Sequence, residues 1–338
     1  MFSKEEIKKN FRDFDGLKVL IIGDVMIDSY IWGHVKRLSP EAPVPIVNVV
    51  KRENRLGGAG NVARNIKALG AVPILCSYIG DDDKSDSFFK LLDEEKMTTN
   101  GILKSKNRLT TVKFRIIGNN SHMLRVDEET EADITHEETI LLFQRIEKLL
   151  ENDKIDVIVF EDYDKGVISK ELIDKTVFLA NQLGIPVVVD PKKKNFFHYK
   201  NVNLFKPNFK EFSEGLKIDI NPQNEKVLSE EIASFQREQH INTVLVSLSE
   251  LGVFYSEMKD NSFSVEKIPA HFRNITDVSG AGDTLISVAA LCMALKLDAY
   301  SVAALSNLAG GVVCEYVGAV PVDKEKLLDE ALKIIDTR

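Results

Sequence analysis

The sequence has few cysteines with which to make covalent or metal cross-links. Its 338 residues include three, Cys76, Cys292 and Cys314, which are widely spaced and form no CxxC pair. This odd number and spacing argue against a disulfide framework or a zinc site and favour a reducing cytoplasm. Because Cys292 and Cys314 lie in apolar helical stretches, we expect them to pack in the core.

Long apolar runs and an excess of positive charge are also missing. No uncharged apolar run reaches the roughly 18 residues of a membrane span. The first residues, MFSKEEIKKN, lack the apolar segment of a signal peptide, so we expect a cytoplasmic protein without a membrane partner. The 44 basic and 52 acidic residues give a net charge of −8, which argues against general nucleic-acid binding. An anionic ligand would therefore need a local cluster of cations.

Short apolar segments alternate with helical segments along most of the chain. The predicted strands are 18–22, 73–79, 156–160, 186–190, 202–205 and 243–247, and the predicted helices include 61–69, 169–183, 284–295 and 301–317. This alternation indicates an α/β fold, with a mainly parallel sheet covered by helices on both faces.

Two β-rich segments interrupt this alternation. An apolar run at 44–50 follows a proline-rich stretch, and two β-runs at 110–117 and 122–126 flank the polar turn 118–121, as in a hairpin. We expect them to form a small projecting β-sheet, built from about residues 28–50 and 108–127. Both segments lie inside the main α/β region, so we expect a single domain over residues 1–338.

The strongest local signal is DVSGAGDT (277–284), a glycine-rich turn that leads into an apolar helix. Glycines let the backbone approach an anion, and the free N–H groups of a helix start point toward it. A carboxylate at Asp283 would repel a bound phosphate, but it could take a proton from an attacking hydroxyl group. A loop with an aspartate helix cap explains the same residues equally well.

A second glycine-rich segment, LGGAGNVARN (56–65), also leads into a helix. Asn61 would offer a donor and an acceptor to a polyhydroxyl ligand, although a tight turn before a helix is the simpler interpretation. The segment is not GxGxxG, and the chain contains no GxxxxGK[ST]. A nicotinamide dehydrogenase and a P-loop enzyme are therefore disfavoured.

Taken together, GGAGNVARNIKALGA (57–71) and DVSGAGDT (277–284) resemble the paired signatures of the PfkB, or ribokinase-like, carbohydrate kinases in order and separation. The resemblance implies a three-layer α/β/α sandwich with a β-sheet lid, and an ATP-dependent sugar kinase. Asp283 matches the family's catalytic base, and its anion hole matches Gly280, Ala281 and Gly282. The positions that match sugar-binding residues are Asp28, Gly57, Gly58 and Asn61.

The same resemblance implies sites for ATP and for metal ions. Asn208 and Glu211 match an element that orients Mg²⁺ through water, although the pair would also form a helix capping box. The positions that match the ATP site are Asn208, Glu211, Ser247, Ser249, Gly252 and Asn307. Asp277 and Ser279 resemble a region that binds a monovalent cation in some relatives, which adds K⁺ as a candidate cofactor.

Further motifs resemble one subfamily, the D-glycero-D-manno-heptose 7-phosphate kinases. They are RLSPEAPVPIV (37–47), TTVKFR (110–115) with LRVD (124–127), EDYDKG (161–166) and DPK (190–192), with Glu161 where a serine is usual. This resemblance implies phosphorylation at C1 on the route to ADP-heptose and the lipopolysaccharide core. The alternatives left open are another sugar of the family (fructose, ribose, a nucleoside or fructose 6-phosphate) and a non-catalytic binding role. The chain has no HxGH motif, so we expect kinase activity without adenylylation.

A phosphorylated sugar needs cations in its pocket. The candidates are Arg37, Lys113, Arg115, Arg125 and Lys165, and Asp162 follows the same predicted strand as Lys165, where open α/β sheets bind ligands. For each cation, a solvated surface charge is the alternative. A projecting sheet would leave an apolar face and free edges exposed, so we expect two lids to pair in a homodimer.

Overall fold

The computed structural model of the chain describes residues 3–259, 262–271 and 273–336. The helices are α1 (Lys4–Asp13), α2 (Ala59–Ala68), α3 (Asp83–Glu94), α4 (His136–Asn152), α5 (Lys170–Leu183), α6 (Phe209–Leu216), α7 (Glu225–Gln239), α8 (Ala281–Ala294), α9 (Ala299–Val313) and α10 (Lys324–Asp336). The strands are β1 (Lys18–Gly23), β2 (Val25–Leu38), β3 (Pro45–Gly58), β4 (Val72–Gly80), β5 (Ile102–Ser105), β6 (Val112–Gly118), β7 (Ser121–Glu128), β8 (Val157–Glu161), β9 (Val187–Asp190), β10 (Leu204–Phe205), β11 (Thr243–Ser247), β12 (Val253–Lys259) and β13 (Ser262–Ile268).

The main sheet has the strand order β13-β12-β11-β10-β9-β8-β1-β4-β5. The pairs β11–β12 and β12–β13 are antiparallel, and the other pairs are parallel. Alternate residues of a strand point to opposite faces. Val19 and Ile21 of β1 join the core covered by α1, α2, α3, α8, α9 and α10, whereas Leu20 and Ile22 join the core covered by α4 to α7. The molecule is therefore a three-layer α/β/α sandwich, and the predicted fold class is confirmed.

A smaller sheet, which we call the lid, has the order β3-β2-β6-β7. It uses longer segments than predicted, because the antiparallel pairing of β2 with β3 continues down to Val25 and Gly58. Gly57 and Gly58 therefore end a strand, and Gly58 is also the residue that directly precedes α2. Asp28, which the sequence analysis placed after the first strand, lies inside β2.

The register of the lid places most of its charged side chains on one face and most of its apolar side chains on the other, although Arg52 shares the face of Ile31. Because neighbouring strands are paired residue to residue, side chains of paired residues share a face. One face carries Asp28, Tyr30, Arg55, Lys113, Arg115 and Asp127, and the other carries Ile31, Phe114, Ile116, Leu124 and Val126. The charged face is the one that includes the candidate sugar-binding residue Asp28. On the apolar face, Leu124 and Val126 are exposed.

None of the described helices is long and apolar enough to cross a membrane. The three cysteines are free and buried, as expected for residues that pack in the core. The cytoplasmic location stays a prediction.

A cluster of aromatic rings fills the core beneath α6 and α7. The ring of Phe235 on α7 is buried and lies 5.2 Å from the rings of Phe196 and Phe205 and 5.9 Å from that of Phe212. The ring of Phe197 lies 6.1 Å away, so removal of the Phe235 ring takes a contact from four other rings.

We predict that Phe235→Ala lowers the free energy of unfolding by about 3–5 kcal/mol, because the rigid neighbours cannot close the cavity that is left. Urea denaturation followed by circular dichroism measures the loss. Phe178 on α5 is exposed, and Phe178→Ala is the matched control, with an expected change below about 0.5 kcal/mol. A loss for Phe235→Ala no larger than that of the control would contradict the prediction.

Candidate active site

Asp283 lies in the first turn of α8 and is 7% exposed. Gly280 precedes the helix with a φ of 79°, a left-handed conformation that favours glycine. Oδ2 of Asp283 accepts a 2.7 Å hydrogen bond from Nδ2 of Asn61, in the first turn of α2. The structure thus brings the two glycine-rich segments together at one carboxylate, although they are 222 residues apart in the chain.

Asn61 also has an unused acceptor. Its Oδ1 atom is buried and has no hydrogen-bond partner in the part of the chain that the structure describes. Buried polar atoms are nearly always paired in native proteins, so this oxygen is suited to accept a hydrogen bond from a ligand hydroxyl group. A Cβ atom on Gly280 would lie 3.0 Å from Nδ2 of Asn61, and glycine is therefore needed for this close approach.

A second donor holds the other oxygen of Asp283. The hydroxyl group of Tyr163, in the loop after β8, donates a 2.8 Å hydrogen bond to Oδ1 of Asp283. Burial and then the charge of Asp283 raise the pKa of Tyr163 well above that of a free tyrosine, so its hydroxyl stays a donor. The sequence analysis missed Tyr163, because it assigned its neighbours Asp162 and Lys165 to the substrate.

The buried carboxylate of Asp24 holds the loop that carries Tyr163. Its Oδ2 atom accepts hydrogen bonds from the N–H groups of Tyr163 (2.9 Å) and Lys165 (3.1 Å), and its Oδ1 atom accepts one from the N–H group of Val167 (3.1 Å). Burial raises the pKa of Asp24 in spite of these three donors. Asp24 therefore fixes the backbone of this loop next to the active site.

The carboxylate of Asp162, which was predicted to bind substrate, also accepts hydrogen bonds from other groups of the protein. Its Oδ2 atom accepts hydrogen bonds from Asn195 (2.9 Å) and from the hydroxyl group of Tyr199 (2.8 Å), and its Oδ1 atom accepts one from the N–H group of Asp164 (2.9 Å). Burial and then the charge of Asp24 raise the pKa of Asp162 to about 7. The structure therefore gives Asp162 a role in holding the loop.

The turn Gly280–Ala281–Gly282 forms a cradle beside Asp283. The N–H group of Ala281 donates to the carbonyl oxygen of Val278 at 3.3 Å, whereas Gly282 lies in the first helical turn, where N–H groups have no partner within the helix. A Cβ atom on Gly282 would lie 3.5 Å from Nζ of Lys206. A helix start with a lysine beside it is suited to bind an anion.

A cavity of about 390 Å³ adjoins this cradle and is lined by Ala281 and Gly282. The predicted nucleotide-site residues that line it are Asn208, Glu211, Ser247, Ser249, Gly252 and Asn307. The exposed apolar side chains of Ile275 and Val278 also line it. A cavity of this size with an apolar wall and a few polar groups is typical of a small-molecule site.

Asn208 and Glu211 do form the capping box that was the alternative explanation for them. Each side chain accepts a 2.8 Å hydrogen bond from the N–H group of the other residue, and Lys192 forms an ion pair with Glu211. No group of three or more acidic, histidine or cysteine side chains among the described residues is arranged to hold a metal ion. The oxygen atoms of Asn208 and Glu211 on the cavity wall fit Mg²⁺ that keeps its water ligands.

Asp277 is held within its own loop. Its Oδ1 atom accepts hydrogen bonds from the N–H (2.9 Å) and hydroxyl (2.8 Å) groups of Ser279, and its Oδ2 atom accepts one from the N–H group of Gly318 (2.8 Å). Burial alone would raise the pKa of Asp277, but the hydrogen bonds from Ser279 outweigh it and keep the pKa below 3.8. An ionised carboxylate at this place fits a nearby monovalent cation.

Asp28 lies at the foot of the lid, where a Cβ atom on Gly57 would be 2.7 Å from its Oδ2 atom. Its Oδ1 atom accepts a 2.5 Å hydrogen bond from Arg115. Burial raises the pKa of Asp28, Arg115 opposes this shift, and the negative charge of Asp283 adds to it. Asp28 therefore lies close enough to Asp283 for their charges to interact.

The predicted phosphate-binding cations have acidic partners that the sequence analysis did not anticipate. The ion pairs are Lys113 with Asp127 and Glu129, Arg115 with Asp28, Arg125 with Asp127, and Lys165 with Glu129 and Glu131. Arg37 lies exposed near the end of β2. A sugar phosphate must therefore compete with these carboxylates for Lys113, Arg125 and Lys165.

Two further arginines near the cradle were not predicted from the sequence. The Nη1 atoms of Arg55 and Arg64 donate to the carbonyl oxygen of Ala319 at 3.3 Å and 3.4 Å. Ala319 lies beside the cradle, since a Cβ atom on Gly280 would be 3.2 Å from its Cβ atom. Arg64 follows Asn61 by three residues on α2, and residues with this spacing lie on one helix face. That spacing could have identified Arg64.

Glu161 and Asp190 form a carboxyl pair below the active site. They are paired residues of the parallel strands β8 and β9, so their side chains share a face. Oε2 of Glu161 and Oδ1 of Asp190 are buried and lack hydrogen-bond partners within the described segments, while Oδ2 of Asp190 lies 2.6 Å from Nζ of Lys206. Burial, and then the charges of Asp190 and Asp283, raise the pKa of Glu161 well above 4.5.

Comparison with known proteins agrees with this geometry. The profile of the pfkB family carbohydrate kinases matches residues 17–326. The chain belongs to the PfkB family of carbohydrate kinases. The predicted family is therefore confirmed.

Among curated PfkB relatives, the bifunctional protein HldE of Desulfatibacillum aliphaticivorans is 36% identical over 316 residues, which are 93% of this chain and 63% of the relative. HldE of Magnetococcus marinus is 36% identical over 310 residues, which are 91% of this chain and 63% of the relative. The chain thus spans less than two thirds of the length of these relatives.

Solved structures of the family share the fold at low sequence identity. Escherichia coli phosphofructokinase-2 in complex with potassium has a TM-score of 0.75 at 19% identity, covering 94% of this chain and 99% of its own. Arabidopsis thaliana ribokinase complexed with ribose and ATP has a TM-score of 0.68 at 13% identity, covering 93% of this chain and 99% of its own. These likenesses support the ribokinase-like fold.

We predict that Glu161→Gln stabilises the protein more at about pH 8 than at about pH 5. A carboxyl group whose pKa is raised by folding stabilises the folded state fully below its ordinary pKa, here 4.5, and this contribution is lost as the pH rises through the raised value. The amide does not ionise and avoids that loss. Thermal unfolding at both pH values should show a difference between variant and wild type that grows by at least about 2 °C.

The exposed Glu151→Gln on α4 is the control and should show the same small change at both pH values. A pH-independent effect of Glu161→Gln would contradict the raised pKa of this carboxyl group.

Proposed function

We propose that this PfkB kinase transfers the γ-phosphate of ATP to the C1 hydroxyl group of D-glycero-β-D-manno-heptose 7-phosphate, giving the 1,7-bisphosphate for ADP-heptose and lipopolysaccharide core synthesis. The observation that carries the reaction is the buried Asp283 carboxylate, which lies between a glycine-rich cradle and the unused acceptor of Asn61. The sugar assignment is supported by the subfamily motifs in the lid and after β8 and β9.

In the proposed mechanism, Asp283 removes the proton of the C1 hydroxyl group as its oxygen attacks the γ-phosphorus. A new O–P bond forms while the bond between the γ-phosphorus and the bridging oxygen of ADP breaks, and ADP leaves with that electron pair. The proton stays on Asp283 until the product departs. The helix-start amides and Lys206 stabilise the negative charge that spreads over the transferring group.

Two cations complete the proposed site. Asn208 and Glu211 would hold Mg²⁺ through water, and the ion would neutralise the charge of the ATP phosphates. Asp277 and Ser279 would lie next to K⁺, as the potassium complex of the related phosphofructokinase-2 suggests. The lid would exclude water from the sugar when it closes.

We predict that heptose 7-phosphate supports faster ADP release than any other sugar in a panel with ribose, fructose, a nucleoside and fructose 6-phosphate. Lys113 and Arg115 on the charged lid face would exchange their acidic partners for the phosphate of such a substrate. Coupled spectrophotometric detection of ADP measures kcat/KM for each sugar. A preference for an unphosphorylated sugar would exclude the heptose assignment.

Asp283→Asn is the control for the chemical step. Its kcat should fall at least about a hundredfold while ATP binding, measured by calorimetry, stays near that of the wild type. Near-normal turnover would remove Asp283 as the base, and ATP binding without turnover of any sugar by the wild-type protein would favour a binding role.

We also propose that the protein forms a homodimer through the apolar face of the lid. Leu124 and Val126 on β7 are 56% and 44% exposed, and they share this face with Ile116 and Ile31. Pairing of two lids would remove these side chains from water and cover the open edges of the sheet. A C2 arrangement would bring the same patch of each copy together.

We predict that Leu124→Glu makes the protein monomeric, since it adds a charge to the proposed interface. Sedimentation velocity measures the mass in solution. Phe178→Glu adds the same charge to an exposed apolar position on α5 and should leave the dimer intact. A monomeric wild type, or a Leu124→Glu variant that stays dimeric, would exclude the lid interface.

A further inference from the structure

Tyr163 is the only group besides Asn61 for which the described residues show a side-chain hydrogen bond to the carboxylate of Asp283. Asn61 donates to Oδ2 and Tyr163 to Oδ1, at 2.7 Å and 2.8 Å. Asn61 comes from α2 and Tyr163 from the loop after β8, so the carboxylate is held from two different elements. Because the two donors reach different oxygens, they restrict rotation of the carboxylate about its last bond.

Several contacts fix the ring of Tyr163. The N–H group of Tyr163 donates to the buried Asp24 carboxylate, and Nζ of Lys192 lies 5.3 Å from the centre of the ring. Gly166, three residues later, has a φ of 84°, and a Cβ atom there would lie 2.0 Å from the carbonyl oxygen of Ala132. The loop therefore has little freedom to move its tyrosine away from Asp283.

We infer that Tyr163 is a positioning residue for the phosphoryl transfer: its hydroxyl group orients the Asp283 carboxylate toward the substrate. This inference rests on the proposed function of Asp283 as the base. A donor to a carboxylate stabilises the ionised form, and only that form can take the proton of the sugar. Tyr163 itself has no role as an acid or base, since its hydroxyl stays protonated throughout.

The need for such a donor follows from the charges around Asp283. Glu161 at the end of β8 and Asp28 on β2 are close enough for the charge of Asp283 to affect their ionisation. Both carboxyl groups repel the Asp283 carboxylate when they are charged. The cations nearby, Lys192 and Lys206, pair with Glu211 and Asp190. The hydroxyl group of Tyr163 therefore counteracts the repulsion directly at the base.

The test is the dependence of kcat on pH for Tyr163→Phe, which removes one hydroxyl group and keeps the ring. We expect kcat at neutral pH to fall about tenfold and the acid limb of the profile to move to higher pH by about one unit. KM for ATP should stay unchanged, since Tyr163 is not among the described residues that line the nucleotide cavity.

Tyr199→Phe is the matched control, because Tyr199 is also a buried tyrosine that donates a 2.8 Å hydrogen bond to a carboxylate, that of Asp162. It should lower thermal stability by a similar amount while its acid limb coincides with that of the wild type. An acid limb that does not move in Tyr163→Phe, or that moves equally in Tyr199→Phe, would overturn the inference.

A second measurement does not depend on the sugar or on the folding of Tyr163→Phe. Carbon-13 NMR of labelled aspartate follows the titration of the Asp283 carboxyl group, which Asp283→Asn identifies by its loss. The hydroxyl proton of Tyr163 should give a downfield, exchange-protected signal in the wild type that Asp283→Ala abolishes, because alanine offers no acceptor. If that signal is absent, the hydrogen bond and the inference fail, whereas its presence in a protein that phosphorylates no sugar would count against the proposed function alone.

Discussion

The arrangement of this active site depends on one buried carboxylate. Charge is costly to bury unless hydrogen bonds compensate it, so Asp283 needs donors, and the chain supplies them from α2 and from the loop after β8. Each donor requires its own support. Gly280 leaves room for Asn61, and Asp24 holds the backbone of the loop that carries Tyr163.

The free-energy cost of burying charge also explains how the other charged residues near the carboxyl ends of β8 and β9 are paired. Glu161 and Asp190 are in register on neighbouring strands, where two ionised carboxylates would repel each other. Lys206 compensates one of them and also lies against Gly282 of the cradle. Lys206 therefore connects the buried carboxylates of the sheet with the anion-binding amides of the glycine-rich turn.

The lid shows why some roles were predictable and others were not. Its hairpin and its mixture of apolar and charged residues are visible as alternation in the sequence, since the side-chain period of a strand is two. The ion pairs that neutralise Lys113 and Lys165 were not predictable in this way. Glu129 pairs with both lysines. Residues 16 and 36 positions apart form these pairs, and no local period connects them.

Among the residues after β8, sequence similarity indicated the loop that borders Asp283 but did not indicate Tyr163. Asp162 and Lys165 have the chemistry expected of ligand-binding residues, yet their polar atoms bind other parts of the protein. From the sequence alone, Tyr163 would be interpreted as an aromatic residue of the core. Only the course of the loop around Asp24 aims its hydroxyl group at Asp283.

The sequence by itself determined the layered α/β fold, the existence of a small projecting sheet and the two glycine-rich segments, because these follow from local hydrophobic period and from the backbone freedom of glycine. The tertiary structure alone decided which polar side chains serve the site and which hold the loops. That choice depends on where a buried charge finds its partners, and partners such as Asn61 and Asp283 come from distant parts of the chain. Local sequence patterns do not show which distant residues come into contact.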